Sequence, residues 1–219
     1  MIKIEKTEIL GWEAAIRGMR NPLNSWDKSD SYWTHIEDAE TLETAPFQFF
    51  VGENDLDLMK RLRNAGTDHR KFMRMITVYV DLTAPLYWWK EFDTYKVGTV
   101  ANSCSTMHKI HAKRFTLDDF SHEHLTDVSF DVLCYIIDNL NNCRELFLVD
   151  KKKDWWWQMI QLLPSSYNQK RTVLLNYEVL ANIYKSRKNH KLDCWHTFCD
   201  WIETLPYAKE LICGVDQNP

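Results

Sequence analysis

The sequence lacks any pair of cysteines in the Cys-x-x-Cys spacing that structural zinc sites and thiol redox centres use. Its six cysteines are instead scattered along 219 residues. Cysteines that are isolated in this way, in a chain without a signal-peptide pattern, are typically free thiols. We therefore expect free, mostly buried thiols at Cys104, Cys134, Cys143, Cys194, Cys199 and Cys213.

Long apolar runs are also missing. No segment approaches the roughly 20 apolar residues of a membrane span, and no early basic-plus-apolar segment is typical of a signal peptide. The formal net charge of -4 is mild and gives no reason to expect a nucleic-acid polymer or a membrane surface as a partner. We expect a soluble cytoplasmic protein.

Motifs that would define a familiar catalytic or metal centre are absent as well. There is no Gly-x-Ser-x-Gly, no Walker A loop and no Gly-x-Gly-x-x-Gly. The histidines match no tight ligand spacing, and Cys194 and His196, two residues apart on a predicted helix, point away from each other. We therefore predict no metal site. The histidines considered as ligands are His108, His111, His122 and His124.

Aromatic residues are abundant by contrast, with ten tryptophans and nine tyrosines. The run Trp155–Trp157 cannot place all three side chains on one face of a helix, so at least one must leave the core of its own chain. A subunit or loop contact is the favoured interpretation, and ligand stacking is the alternative.

Alternating and 3.6-residue patterns predict an α+β fold in a single domain over residues 1–219, with a long irregular loop at about 21–50. Strands are predicted at Ile2–Ile9, near Phe47–Val51 and at Met73–Leu82. Asn54 is predicted to cap a helix closed by Gly66, and Thr83 to cap another. Thr126 is expected to cap a further helix, and others precede Pro164 and Pro206.

A helix is also predicted to begin at Asn176 and to close on Arg187. At about 100° per residue, Asn176, Leu180, Ile183 and Arg187 share one face. That face has an apolar centre and polar ends. Such ends suit a helix whose termini hold a polar ligand, and they equally suit ordinary capping.

The segment Thr99–Lys109 is small and polar, and we predict a loop. It follows a helix that ends near Lys96. Hydroxyl groups, an amide and backbone N–H groups beside a lysine can form an anion-binding cradle. A solvated turn with capping serines accounts for the same residues.

Taken in order, these pieces resemble the flavin-dependent thymidylate synthases. That family has an H-x-x-F segment before a strand, a helix ending in Arg-His-Arg, a Ser/Asn/Glu/Ser loop, a helix ending in Leu-Pro, and an Asn-rich helix ending in Arg. The corresponding residues, over roughly Asn54 to Trp201, are His69–Phe72, Thr94-Tyr95-Lys96, Thr99–Ser105, Leu163-Pro164, and the helix with Asn176, Asn182 and Arg187.

The resemblance implies a small antiparallel sheet packed with several helices, as in thymidylate-synthase-complementing proteins. It implies FAD as cofactor, dUMP or a related nucleotide as substrate, and NADPH and methylene-tetrahydrofolate as co-substrates. It also implies a homo-oligomer, most simply a tetramer. By the same resemblance, His69, Asn176 and Asn182 would contact the cofactor, and the nucleotide would contact Lys96, Thr99, Asn102, Cys104, Ser105 and Arg187.

The chain departs from the family pattern mainly in its cations. Only Lys96 remains of the Arg-His-Arg motif, and Asn102 stands where the family has the loop glutamate. Ile160 replaces an arginine before the Leu-Pro pair, and Glu178 replaces the arginine of an Asn-x-Arg motif. The loop's closing arginine is replaced by Thr106 or Met107. The alternative function is therefore a catalytically inactive homologue that serves as a binding or structural oligomer.

Overall fold

The computed structural model describes residues 2–35 and 47–214. Two sheets are present in this part of the chain: four strands in the order β1-β4-β6-β5, and the antiparallel ribbon β2-β3. The strands are β1 Lys3–Leu10, β2 Tyr32–His35, β3 Phe47–Phe50, β4 Thr77–Pro85, β5 Val100–Ser103 and β6 Asn168–Asn176. The predicted α+β fold with a small antiparallel sheet is confirmed.

The helices pack with these strands and follow the predicted order. They are α1 Trp12–Arg20, α2 Glu53–Asn64, α3 Leu86–Phe92, α4 Asp127–Asp150, α5 Lys153–Leu162, α6 Tyr177–Arg187 and α7 Asp193–Glu203. None of the helices described in residues 2–35 and 47–214 is both long and apolar enough to cross a membrane.

The described residues form two compact units. The first, residues 2–5, 80–96 and 101–173, contains the α4–α5 hairpin. Asn141 of α4 ties this hairpin to the preceding loop, because its amide accepts a hydrogen bond from the Phe115 N–H and donates one to the Phe115 carbonyl, both at 2.9 Å. The apolar core of the hairpin is Ile110, Phe115, Phe120, Leu133, Ile137, Leu140, Cys143 and Met159.

The second unit, residues 6–79, 97–100 and 174–214, contains α1, α2, α6 and α7. A buried ion pair joins α1 to α2: Arg20 Nε lies 2.6 Å from Asp55 Oδ1. The other carboxylate oxygen of Asp55 accepts hydrogen bonds from the hydroxyls of Ser29 and Ser31, each at 2.7 Å. The carboxylate of Asp55 therefore organises the chain that leads into β2.

Several local predictions are wrong. The N-cap position of α2 is Gly52, not Asn54, and the carboxylate of Asp30 accepts the N–H groups of Asn54 and Asp55. Strand β4 runs through Thr83 to Pro85, because the first N–H groups of α3 are bound by carbonyl groups of the loop before β6. Within the predicted loop Thr99–Lys109, Val100–Ser103 pairs as an edge strand.

The predicted irregular segment 21–50 is partly ordered. Residues Asn21–Leu23 and Trp26–Lys28 form 3-10 turns, and β2 pairs with the short strand that was predicted near Phe47. Residues 36–46 of this segment lie outside the described residues. Strand β4 begins at Thr77 and not at Met73 as predicted, because Arg70–Arg74 form a 3-10 helix.

We expect Asp55→Asn to lower the free energy of unfolding by about 3–5 kcal/mol, because it leaves the buried Arg20 guanidinium without its counterion. Burial alone raises the pKa of a carboxyl group, but hydrogen bonds from Ser31, Ser29 and Arg20 outweigh burial and hold the pKa of Asp55 below its ordinary value. Its stabilisation is therefore present above about pH 4 and is lost as the pH falls through the lower folded-state pKa.

Urea unfolding of the wild type and of Asp55→Asn, at pH 7 and at pH 3, measures the difference in their free energies of unfolding. Asp57→Asn on the same helix is the control, since that carboxylate is 73% exposed and should change stability by less than about 0.5 kcal/mol. A loss for Asp55→Asn that is under 1 kcal/mol, or that is the same at both pH values, contradicts this account.

Candidate functional site

Asn176 forms the start of α6 by capping it. Its side-chain oxygen accepts the N–H of Val179 at 3.0 Å, and its side-chain nitrogen donates to the carbonyl of Gly98 at 3.4 Å. Gly98 has a φ of 80°, and a Cβ there would come within 2.7 Å of the Asn176 amide. Glycine is therefore required at this point, and the polar start of the helix is explained by capping.

In the first turn of α6, the buried carboxylate of Glu178 meets two arginines. Arg70 Nε lies 3.2 Å from Glu178 Oε1, and Arg74 Nε donates to Oε2. A second Arg74 nitrogen, Nη2, lies 3.4 Å from Oε1. The hydrogen bond with Glu178 raises the pKa of Arg74, so the guanidinium is held in its charged form.

The Arg70–Arg74 turn also reaches the middle of α6. Arg70 Nη2 lies 3.5 Å from the side-chain oxygen of Asn182, at the long limit of a hydrogen bond. His69 directly precedes this turn; it is exposed, and its N–H donates to the carbonyl of Gly66. The structure thus brings the segment that carries His69 against the helix that carries Asn176 and Asn182.

At the far end of α6, Arg187 lies against the next helix. Its guanidinium carbon is 4.9 Å from the centre of the Trp195 ring, a cation–π geometry. Leu180 and Ile183, predicted on the same face, are fully buried. The apolar centre of the face is confirmed, and its basic end packs on an indole.

The remaining predicted nucleotide residues follow α3. Thr99 belongs to the same unit as α6, whereas Lys96, Asn102, Cys104 and Ser105 belong to the other unit and are exposed. Ser105 Oγ accepts the N–H groups of Met107 at 3.2 Å and His108 at 2.8 Å, and the N–H of Cys104 donates to the carbonyl of Lys170. These backbone donors are engaged within the chain.

Sequence reasoning missed the cluster of Arg70, Arg74 and Glu178. Arg70 lies within the His69–Phe72 segment, but the resemblance gave it no role, and Glu178 was considered only as the replacement of a family arginine. A signal was present: two arginines four residues apart precede a strand, and a glutamate sits on the otherwise apolar first turn of α6.

Within residues 2–35 and 47–214, no three His, Cys, Asp or Glu side chains come together as metal ligands.

The fold matches solved structures along almost its whole length. Thymidylate Synthase X (ThyX) from Helicobacter pylori, with FAD and dUMP, superimposes with a TM-score of 0.67 at 14% identity, covering 97% of both chains. A second structure of flavin dependent thymidylate synthase ThyX from Helicobacter pylori, complexed with FAD and dUMP, gives 0.66 at 14% identity over 96% of this chain and 97% of that one.

A related fold occurs in the UMP/dUMP methylase PolB from Streptomyces cacaoi, bound with 5-Br dUMP. The TM-score is 0.57 at 12% identity, covering 96% of this chain and 91% of that one. No protein-family model matches the sequence, and neither does any curated protein. At these identities the similarity establishes the fold.

Proposed function

We propose that this chain is a divergent flavoprotein of the flavin-dependent thymidylate synthase type, binding FAD and acting on dUMP or a related pyrimidine nucleotide. The observation that carries the proposal is the arginine pair Arg70 and Arg74, held by Glu178 beside Asn182. It lies in a fold that matches FAD- and dUMP-bound enzymes over 97% of the chain.

The cluster suits an anionic ligand, although its own net positive charge is reduced by Glu178. A phosphate group is recognised best by guanidinium groups that can donate two hydrogen bonds each. The side chains of Arg70 and Arg74 are 19% and 54% exposed, so both can be reached from solvent. Glu178 neutralises one of the two positive charges, which leaves one net positive charge to attract the phosphate.

The other contacts are proposed for the residues that the family resemblance implies. The proposed flavin contacts are His69, Asn176 and Asn182, and the proposed nucleotide contacts are Lys96, Thr99, Asn102, Cys104, Ser105 and Arg187.

FAD, when bound, supplies hydride transfer, and the protein's part is to bind and orient the reactants. In the full reaction, NADPH is the reductant and methylene-tetrahydrofolate the one-carbon donor, so that dUMP is reductively methylated. The contribution of this chain is the placement of the nucleotide: the arginine pair fixes its anionic end, and α6 supports the pair from the protein side.

A catalytically inactive homologue, serving as a binding or structural protein, is the second candidate. The observation that favours it is the engagement of the polar groups at this site. Glu178 holds both arginines, Asn176 is used as a helix cap, and Ser105 closes its own turn.

The affinity for dUMP tests this placement of the nucleotide through two substitutions of opposite effect. Arg74→Ala should weaken dUMP binding to the FAD-loaded protein about 10- to 140-fold, the value of one charged hydrogen bond. Glu178→Gln should strengthen it about fivefold, because it removes roughly 1 kcal/mol of repulsion between the carboxylate and the phosphate. Isothermal titration calorimetry measures both affinities, and circular dichroism checks that each variant is folded.

Arg61→Ala is the matched control, since Arg61 is an exposed arginine of α2 outside the cluster. Equal dUMP affinities for the wild type, Arg74→Ala and Glu178→Gln would refute this placement of the nucleotide. Conversion of dUMP to dTMP with methylene-tetrahydrofolate and NADPH would refute the inactive homologue. Tight dUMP binding without any turnover would favour that second candidate.

Self-association completes the proposal, as a homo-oligomer that is most simply a tetramer. Several strongly exposed apolar side chains along α4 support it: Val128, Val132, Tyr135 and Val149 are 75%, 54%, 71% and 85% exposed. Faces of this kind are commonly covered by another chain. Light scattering of the purified protein should give a mass near four chains, and a monomer at micromolar concentration would contradict the proposal.

A further inference from the structure

A small cavity of about 250 Å³ lies between α1, the Trp26–Lys28 turn and the β2–β3 ribbon. Four aromatic side chains form part of its wall: Trp26, Tyr32, Trp33 and Phe49. All of these residues belong to the second unit, and none belongs to the Arg70–Glu178 cluster. The cavity therefore needs an explanation of its own.

The two tryptophans of the cavity are exposed but fixed. Trp26 is 52% exposed and Trp33 is 48% exposed. The indole N–H of Trp26 donates to Asn21 Oδ1 at 2.8 Å, and that of Trp33 donates to Glu13 Oε2 at 3.2 Å. Because the polar edge of each ring is held, the ring itself is set in place before a ligand arrives.

The ribbon reinforces this arrangement. Trp33 is the cross-strand neighbour of Phe49, and their ring centres are 5.2 Å apart in an edge-to-face geometry. In the neighbouring cross-strand pair, Tyr32 stacks on Phe50 with ring centres 5.9 Å apart. Cross-strand aromatic pairs stabilise the register of such a ribbon. Trp33 and Phe49, which both line the cavity, are thus in contact with each other.

Two arginines line the cavity, and they differ in whether their guanidinium groups can bind a ligand. Arg20 is buried, and its nitrogens donate to Asp55, to the carbonyl and hydroxyl of Ser25 and to the carbonyl of Lys28. Arg17 is exposed, and its ion pair with Glu13 is long, at 3.8 Å. Exposed pairs of this kind contribute little. Arg17 can therefore turn to an anionic ligand at small cost.

We propose that this cavity is a binding site for a planar nitrogen heterocycle with an anionic tail, as in a nucleoside monophosphate. The ring would stack on Trp26 and Trp33, and Arg17 would bind the anion. A volume of about 250 Å³ lies below the roughly 300–1,000 Å³ of drug-sized sites. The site would be separate from the one assigned to FAD and dUMP.

Equilibrium dialysis with radiolabelled AMP on the full chain tests the proposal. Trp26→Ala should weaken AMP binding about 5- to 140-fold, the value of stacking one base on an aromatic ring. Arg17→Gln should weaken it about tenfold, and it should leave the weaker binding of adenosine unchanged. Inorganic phosphate alone should not displace AMP at equal concentration, because it lacks the ring.

Two matched controls accompany these variants. Trp157→Ala removes a tryptophan of α5 that is 42% exposed, and Arg61→Gln removes an exposed arginine of α2; neither should change AMP affinity. Absence of AMP binding at millimolar concentration overturns the proposal. So does AMP binding that is lost in Arg74→Ala but kept in Trp26→Ala, because the nucleotide would then occupy the Arg70–Glu178 cluster.

Discussion

The buried carboxylate of Glu178 is the constraint on which the candidate site depends. A carboxylate that is removed from water is unstable unless it is paired and hydrogen-bonded. Arg70 and Arg74 provide that pairing, so the 3-10 turn that carries them must lie against the first turns of α6. The same pairing brings the turn within reach of Asn182 and reduces the net positive charge that an incoming anion would meet.

A second buried carboxylate organises another part of the same unit. Asp55 binds Arg20 together with the hydroxyl groups of Ser29 and Ser31, and it thereby fixes the chain between α1 and β2. That chain carries Trp26 and leads into the aromatic ribbon. One ion cluster thus supports the proposed nucleotide site and another supports the aromatic cavity, so each polar centre also shapes the surface next to it.

Sequence patterns predicted those elements whose structure depends on neighbouring residues in the chain. The helix from Asn176 to Arg187 followed from a capping residue and from 3.6-residue periodicity, and both ends agree with the structure. Predictions failed where a residue far away in the sequence supplies the cap or the ion-pair partner. The cap of α2 comes from Asp30, 24 residues before Asn54, and Glu178 pairs with Arg74 across 104 residues. Neither the partner nor the edge strand β5 can be derived from the pattern of the segment itself.

We propose that a flavin site is kept in this fold, although the charges around it differ from those of the flavin-dependent thymidylate synthases. The most direct test is the visible absorption spectrum of the purified protein, recorded after FAD is added and the excess is removed by gel filtration. The account predicts a retained flavin spectrum in proportion to the protein. A colourless protein that retains no FAD would contradict it and would indicate a fold kept without its cofactor.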